Sequence, residues 1–285
     1  MKFVIVGAGA VGMLLACLLE EAGAQVQLLT RRSEQAKKIN ENGIIKEQRN
    51  HHVKAFTDWS HIDPEAYLLL AVKYDALEQI LPYLKEYGRE NPLVFLQNGM
   101  LHLQFIKEMP QQNIAAGSVE HGALKISDNE IKHTGNGMIK LALLKGDKQK
   151  FLPLLQLNRA NIEWRENADQ LLFRKVLLNG IINPLTALMA IKNGELLTNP
   201  YAYELMKDVY TELYRAFPEI ETLLPFEEVT ALCAVTAQNS SSMLMDKMAG
   251  RQMELDTILL YLLKRSSTEL PLLKAFYHLL KSTEV

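Results

Sequence analysis

Lys175, Asn179 and Asn183 stand four residues apart in a helix-patterned stretch, Leu171–Met189, whose other residues are mostly apolar. That spacing sets all three on one helix face with a modest angular drift per step. An amine and two amides in such surroundings need partners. A bound hydroxy acid would supply them, and so would a hydrogen-bond network to a neighbouring helix. The chemistry this stripe suits is carbonyl reduction, because hydride addition leaves an alkoxide that needs a proton donor or a cation. A lysine among apolar groups fits that task, since burial disfavours its charged form. Further along, Asn239-Ser240-Ser241-Ser242 precedes the helical run Met243–Met248, and Glu254 follows Gly250-Arg251. These residues fit ligand contacts, or an N-capping cluster and a surface carboxylate.

A hydride source is suggested at the other end of the chain. Gly7-Ala8-Gly9-Ala10-Val11-Gly12 follows the strand-like Lys2–Val6 and runs into the helical pattern Met13–Glu21, with a second strand beyond Gly23. In that context Gly7 permits a tight turn, Gly9 lets a pyrophosphate approach the backbone, and Gly12 allows close helix-strand packing. The helix N-terminus faces the phosphate charge. The second strand ends Leu29-Thr30-Arg31-Arg32-Ser33, without the carboxylate that usually accepts from the ribose 2′-hydroxyl of NAD. Two guanidiniums suit a 2′-phosphate instead, which predicts NADPH, although a solvated basic turn would look the same.

The elements that must position these groups alternate. Strand-like runs at Lys2–Val6, Ala24–Leu29, Tyr67–Val72, Leu93–Gln97 and Asn113–Val119 have helical patterns between several of them, predicting βαβ units and a doubly wound parallel sheet. Lys73, Asn98 and Glu120-His121 then fall at carboxyl ends of strands, where such sheets meet ligands. Taken alone, Lys73 is also a loop charge and Asn98 a turn residue before Gly99. Ile131–Thr134 and Met138–Leu144, separated by Gly135-Asn136-Gly137, predict a hairpin that completes this part. From Asp169 onward the pattern is helical, with breaks at Asn193-Gly194, Pro218, Pro225 and Pro271, and Pro184 is expected to kink the first helix at or just after Asn183. The expected division is a Rossmann-type α/β dinucleotide-binding domain over 1–167 and an all-α substrate domain over 168–285, with a substrate cleft at their seam.

Composition narrows the partners. A net charge of −2 in 285 residues, with basic and acidic residues interspersed, offers no field for a polyanion, so nucleic acid is not expected. Two cysteines far apart, Cys17 and Cys233, give neither a disulfide framework nor a metal site. The apolar stretch from Phe3 to Leu19 is interrupted by three glycines and closed by Glu20-Glu21, which argues against a secretory signal or a membrane span. A cytoplasmic enzyme, monomer or homodimer, acting on a small molecule is the expectation.

The chain resembles the ketopantoate reductase family over nearly its whole length. The resemblance rests on Gly7 to Gly12, Val72-Lys73, Gln97-Asn98-Gly99-Met100, Arg174-Lys175 leading to Asn179 and Ile182-Asn183-Pro184-Leu185-Thr186, Asn193-Gly194-Glu195-Leu196, Ser241-Ser242-Met243-Leu244 and Glu254-Leu255-Asp256. It implies a Rossmann domain followed by a helical domain, and NADPH-dependent reduction of 2-dehydropantoate, a small 2-oxo acid, to (R)-pantoate in pantothenate and coenzyme A synthesis. By the same resemblance Lys175 is the general acid, and Glu254 contacts the substrate hydroxyl end or assists the lysine. Asn98, Asn179, Asn183, Asn193, Asn239 and Ser242 line the substrate site. Arg31 and Lys73 face the cofactor phosphates, with Gly7, Ala8, Gly9, Ala10, Val11, Gly12 and Asn98 also on the cofactor. His121 matches only loosely and stays outside the catalytic set. The chain departs from the family pattern at Met253, where many relatives carry threonine, around Leu270-Pro271-Leu272, and over Phe217–Leu224. Two other readings share these features: a reductase of another branched 2-oxo acid, and an NADP(H)-sensing protein without turnover. A sensor has no need of the proton donor Lys175 or of Glu254.

Overall fold

The computed structural model describes residues 1–284, which divide into two compact units. The first comprises residues 1–97 and 102–171; the second takes in 98–101 and everything from Leu172 on. The divide after Leu171 falls in the first turn of the long helix that opens the helical part, and the excursion at 98–101 gives Asn98 to the helical unit.

In the first unit the chain runs β1 (Lys2–Val6), α1 (Ala10–Glu21), β2 (Gln25–Leu29), α2 (Ser33–Asn42), β3 (Ile44–Lys46), β4 (Arg49–His51), β5 (Lys54–Phe56), β6 (Tyr67–Leu70), α3 (Tyr74–Glu86), β7 (Leu93–Phe95), β8 (Ile114–Val119), β9 (Gly122–Lys125), β10 (Glu130–Gly135), β11 (Ile139–Lys145) and β12 (Ile162–Trp164). Eight strands form one sheet in the order β12-β11-β8-β7-β6-β1-β2-β5. From β5 to β8 all neighbours are parallel, and the order reverses between β1 and β6, the switch point at which such sheets bind dinucleotides. The central strands are short runs of Val, Ile, Leu and Phe buried on both faces, as the continuous apolar pattern requires.

A second sheet, β4-β3-β10-β9, carries no clear signal in the sequence, and it explains the apolar run near the N-terminus. α1 packs on both sheets, so Gly12 through Leu19 are all buried, and a helix covered all round must be apolar all round. Each leucine buried there contributes about 1.5–3 kcal/mol. Glu20 and Glu21, which close the run, bind the small sheet: Lys46 Nζ lies 2.6 Å from Glu21 Oε1, and His51 Nδ1 lies 2.9 Å from Glu20 Oε2.

The expected hairpin at Gly135-Asn136-Gly137 is not one. β10 pairs with β9 in the small sheet, whereas β11 pairs with β8 in the large one. One antiparallel ribbon therefore runs out along β8 and β9, turns at Ser127-Asp128-Asn129, and returns along β10 and β11. Ile126 N–H donates to Glu130 O at that turn. The glycine-rich triplet is the crossing point between sheets, where Gly137 approaches the Glu120 backbone too closely for any Cβ.

The helical unit holds α4 (Ala168–Met189), α5 (Glu195–Thr198), α6 (Pro200–Ala216), α7 (Ile220–Leu223), α8 (Phe226–Val235), α9 (Ser242–Met248), a π-helical turn (Asp256–Leu260), α10 (Tyr261–Arg265) and α11 (Pro271–Lys281). Breaks fall at the expected Asn193-Gly194, Pro218, Pro225 and Pro271. α4 runs through Pro184 to Met189 as one helix. Pro184 cannot donate to Gly180, but the helix closes around the gap, and the Thr186 hydroxyl lies 3.0 Å from both Ile182 O and Asn183 O. α4 is long and apolar enough to span a bilayer, yet 72% of its apolar window is buried inside the protein. The buried Glu212 carboxylate of α6 accepts from Leu272 N–H and Leu273 N–H at 2.9 Å each, satisfying the first turn of α11.

Candidate active site

The loop after β1 has the geometry its glycines imply. Gly7 adopts φ +108°, and a Cβ on Gly12 would sit 1.9 Å from Gly7 O, so α1 can start this close to the strand only through glycine. Gly9 differs: a Cβ there meets nothing within 4 Å. The protein's own packing does not require glycine at that position, whereas a phosphate approaching the exposed backbone does. Gly9 caps α1 with no side-chain hydrogen bond, which leaves the first helical N–H groups for an anion. The loop from Gly7 to Gly12 thus has the exposed backbone and helix N-terminus that a dinucleotide pyrophosphate would need, with the backbone of Ala8, Ala10 and Val11 in the same turn. Buried Gln35 secures the loop from behind, its Nε2 donating to Ala8 O at 2.9 Å and to Asp128 O at 2.8 Å.

The two arginines at the end of β2 part company. Arg32 pairs with Asp128 at the tip of the ribbon, and its guanidinium, aided by Lys125, holds the Asp128 carboxyl below its ordinary range. Arg31 is exposed and forms no ion pair among the described residues, so its guanidinium is available beside the first turn of α2. Lys73 is exposed at the N-terminus of α3, three residues beyond the end of β6. The intervening Ala71-Val72 leaves the strand and packs beneath Gly7. Gln97 fixes this bend: its Nε2 donates to Leu70 O at 2.9 Å and to Val72 O at 3.0 Å. Neither role is evident from the sequence: Gln97 is marked only as an amide closing the apolar run Leu93–Leu96, and Gln35, in a polar stretch, carries no signal.

In the helical unit, Lys175 and Asn179 are half-buried and Asn183 is buried, so the stripe on α4 deepens along the helix. Neighbouring Arg174 turns to Glu228 of α8 in an ion pair. α9 is tied to α4 at two points: Ser241 Oγ lies 2.7 Å from Thr186 Oγ1, and Lys247 Nζ donates to Ala187 O at 2.9 Å. The N-cap of α9 is Ser241, accepting from Leu244 N–H at 3.1 Å, which leaves Ser242 exposed at the first helical position. The capping reading thus holds for Ser241.

Asn193 and Asn239 meet through the backbone, with Asn193 N–H donating to Asn239 O at 3.0 Å. The Asn193 side chain donates to Thr236 Oγ1 at 2.9 Å, and its buried Oδ1 has no hydrogen-bond partner among the described residues. Asn98 and Glu254, 156 residues apart in sequence, are joined by a 2.8 Å hydrogen bond from Asn98 Nδ2 to Glu254 Oε2. The helical unit therefore groups the expected residues as Asn98 with Glu254, Asn183 with the Thr186-Ser241 junction beside Ser242, and Asn193 with Asn239. Lys175 and Asn179 occupy the same face of α4, about two turns and one turn before Asn183 respectively.

Other titratable groups serve the scaffold. His121 Nδ1 accepts from Gly137 N–H at 3.2 Å and lies 3.2 Å from His133 Nε2, and burial followed by His133 lowers its pKa. Burial raises the thiol of Cys17 to about 12 and that of Cys233 to about 11, so neither is a nucleophile at neutral pH.

A glycine loop at the switch point of a doubly wound sheet, followed by a helical unit bearing a lysine, a carboxylate and several amides, is the build of a two-domain oxidoreductase. The family model Ketopantoate reductase PanE/ApbA matches residues 3–146, and Ketopantoate reductase PanE/ApbA C terminal matches residues 167–284. The chain belongs to the ketopantoate reductase family. It is 34% identical to the 2-dehydropantoate 2-reductase of Listeria monocytogenes over 100% of this chain and 97% of that protein. With the 2-dehydropantoate 2-reductase of Bacillus subtilis the identity is 38% over 94% of this chain and 92% of the relative. The crystal structure of a probable 2-dehydropantoate 2-reductase from Bacillus subtilis superposes with a TM-score of 0.84 at 35% identity, covering 99% of this chain and 100% of the other.

Proposed function

We propose that the protein reduces the 2-oxo group of 2-dehydropantoate to (R)-pantoate, using NADPH, within pantothenate and coenzyme A synthesis. The observation that carries the reading is the Asn98–Glu254 hydrogen bond, which brings two of the family's polar residues together in the unit that also presents Lys175. Bound at the glycine loop, the dinucleotide supplies the hydride. Lys175 donates the proton that the reduced oxygen takes up. Glu254, oriented by Asn98, accepts from the substrate hydroxyl. Asn179, Asn183, Asn193, Asn239 and Ser242 bind the remaining polar groups and fix the carbonyl relative to Lys175. The two unpaired thiols suit a reducing cytoplasm. Loss of reduced-nicotinamide absorbance on adding ketopantoate tests the activity, and its absence with every 2-oxo acid would favour the sensor.

The cofactor preference follows from Arg31. Arg32 is committed to Asp128, so Arg31, with Lys73, is the group proposed for the 2′-phosphate. A charge-assisted hydrogen bond is worth roughly 1.5–3 kcal/mol, so Arg31→Ala is expected to erode the NADPH over NADH preference by about tenfold or more. Equal kcat/KM with NADH and NADPH in the unmodified protein would contradict the assignment.

A further inference from the structure

Glu254 lies between buried Met253 and the π-helical turn Asp256–Leu260, in which Tyr261 N–H reaches back to Asp256 O. Glu254 precedes that turn, and residues flanking it are held by hydrogen bonds to another element. Two flanking residues, Met253 and Asp256, are held from one end of one helix. Tyr277 of α11 donates its hydroxyl to Asp256 Oδ1 at 2.8 Å, and Lys281 Nζ lies 3.7 Å from Asp256 Oδ2. Past the end of α11, the Glu284 carboxylate accepts from Met253 N–H at 2.7 Å and from Lys281 Nζ at 2.8 Å. The Glu284 side chain is only 12% exposed. The residues on both sides of Glu254 are thus gripped by the same helix end, while Asn98 holds the carboxylate itself.

We propose that Glu284 is a positioning residue for Glu254, fixing the Met253 peptide and so aiming the Glu254 carboxylate. This rests on the reading of Glu254 as a substrate-contacting group. Without Glu284 the Met253 N–H of a buried residue loses its acceptor, and the segment must move to find another. Lys281 completes the clamp: the Glu284 hydrogen bond raises its ammonium pKa against the effect of burial, so the ammonium stays charged.

The test is a double-mutant cycle on kcat/KM for ketopantoate, with amide exchange at Met253 as a second readout. Glu284→Ala is expected to lower kcat/KM by about 5–20-fold, whereas Glu284→Gln, which keeps an oxygen acceptor for Met253, stays within about threefold of wild type. In a Glu254→Ala background, adding Glu284→Ala should change kcat/KM by less than about twofold, because nothing remains to be aimed. Met253 amide exchange should accelerate by about tenfold or more in Glu284→Ala. Wild-type kinetics in Glu284→Ala, or the same loss in both backgrounds, overturns the proposal while leaving Glu254 in the site. Wild-type kinetics in Glu254→Ala overturns the reading of Glu254, and the positioning role with it.

Discussion

Lys175→Ala is expected to lower kcat by about 10²-fold or more while leaving dinucleotide affinity nearly unchanged. The expectation follows from where the lysine stands. It is half-buried on the polar face of α4, in the helical unit, whereas the glycine loop, Arg31 and Lys73 belong to the sheet unit. Removing the amine takes away the proposed proton donor without touching the phosphate contacts. Lys175→Arg separates two roles, since a guanidinium preserves the positive charge but does not release a proton at neutral pH. A general-acid role predicts that arginine rescues little, and a purely electrostatic role predicts substantial rescue. Single-turnover rates with NADPH, set beside nucleotide affinity from fluorescence, make the distinction. Turnover of the alanine variant within a few-fold of wild type would move the proton donor elsewhere.

The second large effect concerns the substrate. Ketoisovalerate, which lacks the terminal hydroxyl of ketopantoate, is expected to be poorer by at least about two orders of magnitude in kcat/KM. The reason is the lost contact: a site built to hydrogen-bond a substrate hydroxyl gives up that bond, and the transition-state binding it supplies, when the hydroxyl is missing. Glu254→Ala should narrow the gap by harming ketopantoate more than ketoisovalerate. Comparable efficiencies for the two oxo acids in the unmodified enzyme would favour a broader 2-oxo acid reductase.

Much of this was legible in the sequence because the signals were local. Gly7, Gly9 and Gly12 between a strand and a helix specify a phosphate loop through backbone geometry alone, and the apolar strands specify a sheet covered on both faces. Lys175, Asn179 and Asn183 share a face because helical spacing dictates it. What escaped was non-local or chemically quiet. Gly135-Asn136-Gly137 carries the composition of a hairpin turn but spans two sheets, while the real turn, Ser127-Asp128-Asn129, has no glycine. The β3–β4 turn places Glu47 and Gln48 at φ +50° and +65°, where glycine or asparagine is the usual signal, so that hairpin gave no warning. In the site, the Asn98–Glu254 and Met253–Glu284 bonds join residues 156 and 31 positions apart, and no periodicity encodes such pairings.

The ribbon from Ile114 to Lys145 ties the two sheets into one cooperative structure. Its first strand belongs to the large sheet and then to the small one, and its return strand does the same in reverse, so the small sheet has no hinge about which to open alone. At its tip Asp128 holds Arg32 through the carboxylate and Gln35 through the carbonyl, and Gln35 holds Ala8 O. Loosening the ribbon is therefore expected to release the glycine loop as well, at an opening energy equal to that of the whole sheet unit. Amides of β10 such as Ile131 should report the same opening free energy and urea dependence as amides of β11 such as Leu141. A markedly lower opening free energy for Ile131 would mean that the small sheet is an independent flap.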